Sequence, residues 1–388
     1  MTVHFVYMHN NHINTTSAIG REIPKRLQER FDVRVHHPNA EGAVRPKPGD
    51  ILIGHPNRYA PCFFSRSFAL PGWARRIVFA PLSLGMLEDA AAIDPIVQAA
   101  DICLAITGAF WFDSIAASPI SHWQHKTMRC DLGVNRAQFP NIKSRFNPAG
   151  RRRFLYIGNA DPMRGGDFLM RLANANPELE IGWIRASDSR HCLDSIIEPQ
   201  TRRLAKAMAN SRLKIYADVH WHRPEGLKII ADHDFLLHCG RSDAMPSEVL
   251  EAASWGLVPI TTPQCGFPED DWMTHIPLDD IGNASAILQN MNTCADGELF
   301  ARQAAGFRLL DSQYNWDHVT DQVRAAIEAP LPATPADAMW QQRARRNSRM
   351  LKRHLLRTRY KRRIDAMLQR FPRPFEGAIR RDTLTAEG

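Results

Sequence analysis

Between Phe235 and Thr262 the hydrophobic period of the chain changes three times, and that succession leaves few folds open. Phe235-Leu236-Leu237 is a short apolar run that reads as a buried strand. Pro246 and Ser247 then stand where a helix should start, Pro in the first turn and Ser as a cap. Val249, Leu250, Ala253 and Leu257 recur at helical spacing, Gly256 is a stop, and Leu257 to Thr261 is a second strand. A strand, loop, helix and strand in such short order predict a parallel α/β sheet, and open sheets of that kind bind ligands at this end. The loop carries Asp243 and the helix carries Glu251, with seven residues between them. At roughly 1.5 Å rise per residue, Glu251 lies about two turns into the helix.

The same alternation runs along the rest of the chain. Val3 to Met8, Asp32 to His36, Asp50 to Gly54, Arg76 to Ala80 and Asp101 to Ile106 read as strands of the first half. Ile19, Ile23, Leu27 and Phe31 mark a helix, with Thr15, Thr16 or Ser17 as its cap. Arg153 to Gly158, Leu179 to Ile184 and Lys214 to Val219 continue the strands, with a long polar helix between the last two. Strands alternating with helices imply doubly wound parallel sheets. A length of 388 residues suits two domains. Asn141 to Gly150 is a polar linker containing Pro and Gly, and Ala329 to Pro335 a stiff Pro-rich one. The expected division is residues 1–147, 148–329 and 330–388.

Charge separates the last segment from the others. From Leu331 onward there are 15 basic and 5 acidic residues, against 34 and 36 before it. The basic balance therefore belongs to the tail and does not predict a nucleic-acid groove in the body. No apolar run approaches a membrane span, and the chain opens into a strand-like run rather than a signal peptide. The seven Cys are dispersed without a CxxC pair, which suggests neither a disulfide frame nor a zinc knuckle. A reducing cytoplasm is the expected setting.

The stretch Arg241 to Thr262 resembles the signature of the group 1 retaining glycosyltransferases of GT-B type: an acid, seven residues, then Glu and Ala, and a small-residue turn into a strand. Asp243 stands where that family usually has Glu. Three further segments resemble family elements in the expected order. Asp131 to Pro140 is similar to the interdomain segment, Asn159 to Asp167 to the loop that grips the donor diphosphate, and Cys265-Gly266-Phe267-Pro268-Glu269 to the loop whose backbone approaches the donor. Tyr314-Asn315-Trp316-Asp317 resembles the element that closes the second domain. The departures are specific. Asn159 replaces the usual Arg, Arg164 the usual Lys, one glycine is missing before Phe267, and Pro81-Leu82-Ser83 offers no histidine in the middle of the first half.

The resemblance implies two Rossmann-like domains facing a central cleft and transfer of a sugar, with retention, from a nucleotide diphosphate donor to a hydroxyl of a glycan or lipid-linked acceptor. It implies catalytic roles for Asp243 and Arg164 and donor contacts from Asn159, Arg164, Gly165, Asp243, Met245, Pro246, Ser247, Glu251, Gly266 and Phe267. Asn10, Asn11 and His12, in the loop after the first strand, fall on the acceptor side. It implies no metal and no resident cofactor. A sugar-nucleotide epimerase or phosphorylase of the same fold, or an inactive binding protein, stays open. Asp232-His233-Asp234 imitates a metal-binding DxD, and His220-Trp221-His222 and His238-Cys239 imitate ligand pairs. The triplet lies between a helix and a buried strand and reads better as structural, and the two pairs read better as packing because no third and fourth ligands accompany them.

In the tail, Leu356, Tyr360, Ile364, Met367 and Phe371 form one apolar stripe on a helix dense in Arg and Lys. Docking on the body by that stripe, contact with an anionic membrane face and nucleic-acid binding compete, with nucleic acid the least expected.

Overall fold

The computed structural model describes residues 1–10, 15–56, 62–85, 87–158, 162–185, 213–216 and 219–370, with only the backbone for 162, 185, 362 and 365–370. Asn11, His12, Asn159, Phe371, the Met367 side chain and the expected helix between Ile184 and Lys214 lie outside the described residues.

Two parallel six-stranded sheets organise the chain. The first contains β1 (Thr2–Val6), β2 (Asp32–His36), β3 (Ile51–Gly54), β4 (Arg75–Pro81), β5 (Ile102–Ile106) and β6 (Thr127–Cys130) in the order 2-1-3-4-5-6. The second contains β7 (Arg153–Gly158), β8 (Glu180–Arg185), β9 (Lys214–Tyr216), β10 (Phe235–His238), β11 (Val258–Thr261) and β12 (Thr274–His275) in the order 12-11-10-7-8-9. Each order reverses direction once, between β1 and β3 and between β7 and β10. Connections leave on opposite sides at such a point, and a crevice opens beyond the strand C-termini. The inner strands β1, β3, β4, β5, β7, β10 and β11 are near-continuous buried runs because helices cover both faces. Phe5 registers with Ile53 in one sheet, and Phe235 with Phe154 in the other. β6 and β12 escape a reading by pattern because Thr127-Met128-Arg129-Cys130 and Thr274-His275 are short and polar.

Flanking the first sheet are α1 (Thr15–Leu27), α2 (Phe63–Phe68), α3 (Leu87–Ala99) and α4 (Ala109–Ser114). The second carries α5 (Gly166–Ala175), α6 (Pro224–Ala231), α7 (Ser247–Trp255), α8 (Ile281–Thr293) and α9 (Asp296–Ser312). α10 (Trp316–Glu328) then returns to the first sheet. Arg26 of α1 pairs with its Asp317 at 2.5 Å, and Arg75 donates to the carbonyls of Ala326 and Ala329 at 2.6 Å. The segment after β6 is fastened to the same crossing. Asp131 is buried and accepts from Arg129 and Gln322, while the Val134 amide donates to the Tyr314 carbonyl at 2.9 Å.

Asp232-His233-Asp234 is a structural knot. Asp234 is fully buried, pairs with Lys143 at 2.8 Å, and accepts from the Asn147 and Arg153 amides at 2.9 Å. It ties the linker to the start of β10, and His233 bonds its own helix through the Ile229 carbonyl at 2.6 Å.

The tail forms α11 (Ala338–Arg370), docked on α3 and the turn at Ser121–Lys126. The docking face differs from the expected stripe. Ala344, Asn347 and Leu351 are buried, and Leu355 packs beside them. Asn347 donates to Ser121 at 3.1 Å, and Gln98 of α3 donates to Ser348 at 2.7 Å. Leu356 and Tyr360 remain 56% and 68% exposed. The docked face begins closer to the Pro-rich linker than the expected stripe and mixes small, polar and apolar side chains.

Candidate functional site

The crevice between β7 and β10 gathers three loops. The Arg241 and Ser242 amides donate to the Met163 carbonyl at 2.8 and 3.2 Å, joining the loop after β7 to the loop after β10. The Asp243 and Met245 amides donate to the Gln264 and Cys265 carbonyls at 3.2 and 3.1 Å, which adds the loop after β11. Gly165 is required at the first junction. It caps α5 with φ of 74°, and a Cβ there would lie 1.8 Å from the Cys239 carbonyl oxygen. Met245 takes a left-handed φ of 55°, a cost for a side chain with a Cβ, and it is held by burial of that side chain.

These junctions deliver Arg164 to two carboxylates. Its Nη1 donates to Glu248 Oε1 at 2.6 Å and stands 3.4 Å from Asp243 Oδ2. Glu248 raises the guanidinium pKa further, against the opposing effect of burial. Burial works to raise the Glu248 pKa, but Arg164 and then His238 hold it below the usual carboxylate value. Glu248 also lies against its own backbone amide at the start of α7, where the helix dipole favours negative charge. Pro246 caps α7 without a side-chain bond, and Ser247 is the first helical residue rather than the cap. The Ser247 hydroxyl instead bonds Glu251, one turn along.

Glu251 contacts Trp221 Nε1 at 3.3 Å and stands 3.7 Å from His222 Nε2. It is 9% exposed. Burial, with Glu248 adding to it, pushes its pKa up to about 7, and burial lowers that of His222 to about 4. His238, at the end of β10, is fully buried and bonds Cys265 Sγ at 3.2 Å through Nδ1. Its Nε2 has no hydrogen-bond partner among the described residues and lies 3.8 Å from Asp243 Oδ2. Among the described residues, no three His, Cys, Asp or Glu side chains group as metal ligands.

Asp243 also looks the other way. With Ser242 and Ala244 it closes a cavity of about 470 Å³ at the C-terminal ends of the first sheet, lined there by Tyr7, Met8, Asn39, His55, Ser83 and Asp89 among others. Ser242 and Ser83 hydroxyls bond across the cleft at 2.7 Å. A second bridge lies at Gly108, where a Cβ would fall 1.5 Å from the Gly266 carbonyl oxygen, and Trp111 Nε1 donates to the Gln264 carbonyl at 2.9 Å.

The structure therefore brings Arg164, Gly165, Asp243, Pro246 and Ser247 to one crevice, with Glu251 a turn deeper in α7. Gly266 meets it by backbone only, and the Met245 and Phe267 side chains point into the core. Asn10 does not line the cavity; its side chain accepts from Ser17 at 2.5 Å and its carbonyl from Arg21 at 2.7 Å. Glu248 was missed by sequence reasoning. The available signal was its position three residues before Glu251, on the same helix face and in the first turn.

No family model matches the chain, and no curated protein matches it in sequence. Solved structures do. A glycosyltransferase from Rickettsia africae aligns over 84% of this chain and 97% of its own, with 11% identity and a TM-score of 0.58. Sucrose-phosphate synthase from Thermosynechococcus elongatus aligns over 83% and 97%, with 11% identity and a TM-score of 0.59. The Anabaena protein HepE, in complex with UDP-glucose, aligns over 85% and 100%, with 10% identity and a TM-score of 0.56. At these identities the likeness is one of fold. The chain has the two-domain GT-B architecture, two Rossmann-like sheets facing a cleft.

Proposed function

We propose that the protein is a glycosyltransferase that moves a sugar from a nucleotide diphosphate donor to a hydroxyl of a glycan or lipid-linked acceptor. The observation that carries this reading is the double aspect of Asp243. One carboxylate contacts the Arg164 crevice of the second domain and closes the cavity of the first. A group so placed faces the reacting centre between a donor and an acceptor. As the bond to the leaving diphosphate breaks, negative charge gathers on its oxygens. Arg164 and the amides at the starts of α5 and α7 are the groups that would meet it. Asp243 would face the positive charge at the anomeric carbon, and Glu251 would accept hydrogen bonds from ribose hydroxyls. Solved structures of the same fold with UDP and UDP-glucose bound support a nucleotide sugar as the ligand class. Retention, the work of a cell-envelope pathway and a cytoplasmic setting belong to the same proposal and rest on the resemblance.

Glu248 favours one competing reading. It occupies Arg164 and adds a third carboxylate to the crevice, which suits a binding protein without turnover. Release of free nucleotide from a panel of nucleotide diphosphate sugars, with and without glycan and lipid-linked acceptors, separates the two. Acceptor-dependent release is expected. Binding of a nucleotide sugar without any release would establish the inactive form, and binding of none would remove the transferase reading.

A further inference from the structure

The docked orientation of α11 divides its surface in two. Ala344, Asn347, Ser348, Leu351 and Leu355 face α3 and the Ser121–Lys126 turn. Arg345, Arg349, Arg353, Leu356 and Tyr360 follow one another at three- and four-residue steps, so they form a single stripe on the far side. All five are exposed, the last two at 56% and 68%. None of the three arginines has an ion pair or side-chain hydrogen bond among the described residues. Asp365 is the only acidic residue from Ala338 to Arg370. Before Leu331 acidic residues slightly outnumber basic ones, so this positive field is local. A groove of about 1120 Å³ runs between the helix and the loop at Ala117–Pro119, lined by Arg345, Arg349, Arg353 and Arg357.

We propose that this far face of α11 is a docking surface for an anionic lipid bilayer. Guanidinium groups on a rigid helix would meet headgroup phosphates, and Leu356 and Tyr360 would enter the headgroup boundary between them. Two exposed apolar side chains flanked by arginines suit an interface that is charged outside and apolar beneath. A nucleic-acid groove has use for the arginines but none for Leu356. The placement has a consequence for the cleft. α3 carries Gln98 under α11, and its Ala90 and Ile93 line the Asp243 cavity about two turns away. One rigid helix thus joins the bilayer face to the cavity, which would hold that cavity close to an acceptor embedded in lipid. No helix of the described residues is long and apolar enough to cross a membrane, so contact of this kind would be peripheral.

The full chain is sedimented with vesicles of phosphatidylcholine alone and of phosphatidylcholine mixed with phosphatidylglycerol. Binding only to the mixed vesicles, weakened by salt, is expected. The triple variant Arg345→Glu, Arg349→Glu, Arg353→Glu should lose roughly tenfold or more in partition. Its thermal unfolding should stay close to the parent, since none of the three has an ion pair or side-chain hydrogen bond among the described residues and all three are exposed. Leu356→Ser with Tyr360→Ser should lower partition and leave the salt dependence in place, which tests the bilayer without altering charge. Failure of the parent to bind mixed vesicles, or equal partition by both variants, would overturn the proposal. So would a triple variant that loses affinity for a duplex RNA while its vesicle binding stays unchanged. Lipid binding is read without turnover, so it stands or falls apart from the transferase reading.

Discussion

Arg164 Nη1 and Glu248 Oε1 lie 2.6 Å apart at the mouth of α7, so the cation suited to a phosphate already holds an anion. A diphosphate entering the crevice competes with Glu248 both for the guanidinium and for the helix start. Replacing Glu248 with Gln removes the competitor's charge. Glu248→Gln should tighten binding of a nucleoside diphosphate by roughly fivefold, about 1 kcal/mol, measured by titration calorimetry. Weaker binding would show that Glu248 orients Arg164 rather than competing for its ligand.

Removing the cation has the opposite sign. Arg164→Ala leaves Asp243 and Glu248 facing each other without a counter-charge. Its kcat/KM for nucleotide release should fall by about 10²–10³-fold, the usual loss for a group that meets transition-state charge. Kinetics equal to the parent would take Arg164 out of the site.

Glu251 should make both stability and ligand binding depend on pH. Folding raises its pKa from 4.5 to about 7 through burial, with Glu248 adding to it. The native chain therefore keeps a proton that the unfolded chain releases between those values. The stabilisation is fully present below about pH 4.5 and is lost as pH rises through about 7. Denaturant unfolding of the ligand-free protein should show a loss on the order of 1–3 kcal/mol across that window. Glu251→Gln should flatten this part of the profile. Ribose hydroxyls donate to the ionised carboxylate, so nucleotide affinity should rise over the same window. An affinity independent of pH would remove Glu251 from the ribose.

Gly108 tests the contact between the domains. Its φ of −75° suits any residue, so Gly108→Ala strains nothing locally. The new Cβ would instead meet the Gly266 carbonyl at 1.5 Å and push the two loops apart. Turnover should fall by more than tenfold with little change in the unfolding temperature, since no core group is altered. Full activity in Gly108→Ala would mean that the closed cleft is not the working one.

Asp234 and Asp232 should separate cleanly. Asp234→Ala strands a buried Lys143 ammonium and the Asn147 and Arg153 amides, a loss of about 3–5 kcal/mol by denaturant unfolding. Asp232 is exposed, and Asp232→Ala should change stability by less than about 0.5 kcal/mol. Equal effects would show that the network around Asp234 does not carry this stability.

What the sequence alone determined is local. Apolar runs and helical spacing depend on residues two to four apart, so the α/β class, the Asp243 loop and the α7 helix were legible in order of appearance. The acids and the arginine were legible as residue types at positions resembling a family pattern. Distance along the chain hid the rest. Glu248 became part of the site because Arg164, 84 residues earlier, is brought to it by loops that only sheet order makes neighbours. The cavity is assembled from the ends of several strands and closed by Ser242 from the other domain. In α11 the spacing singled out the stripe from Leu356 onward, whereas contact with α3 buries Ala344, Asn347 and Leu351 instead. Glu251 was legible by position but not by protonation; its burial beside Trp221 and His222 is what moves its proton affinity. Periodicity is written in near neighbours, whereas burial and charge pairing are properties of whatever the folded chain places alongside.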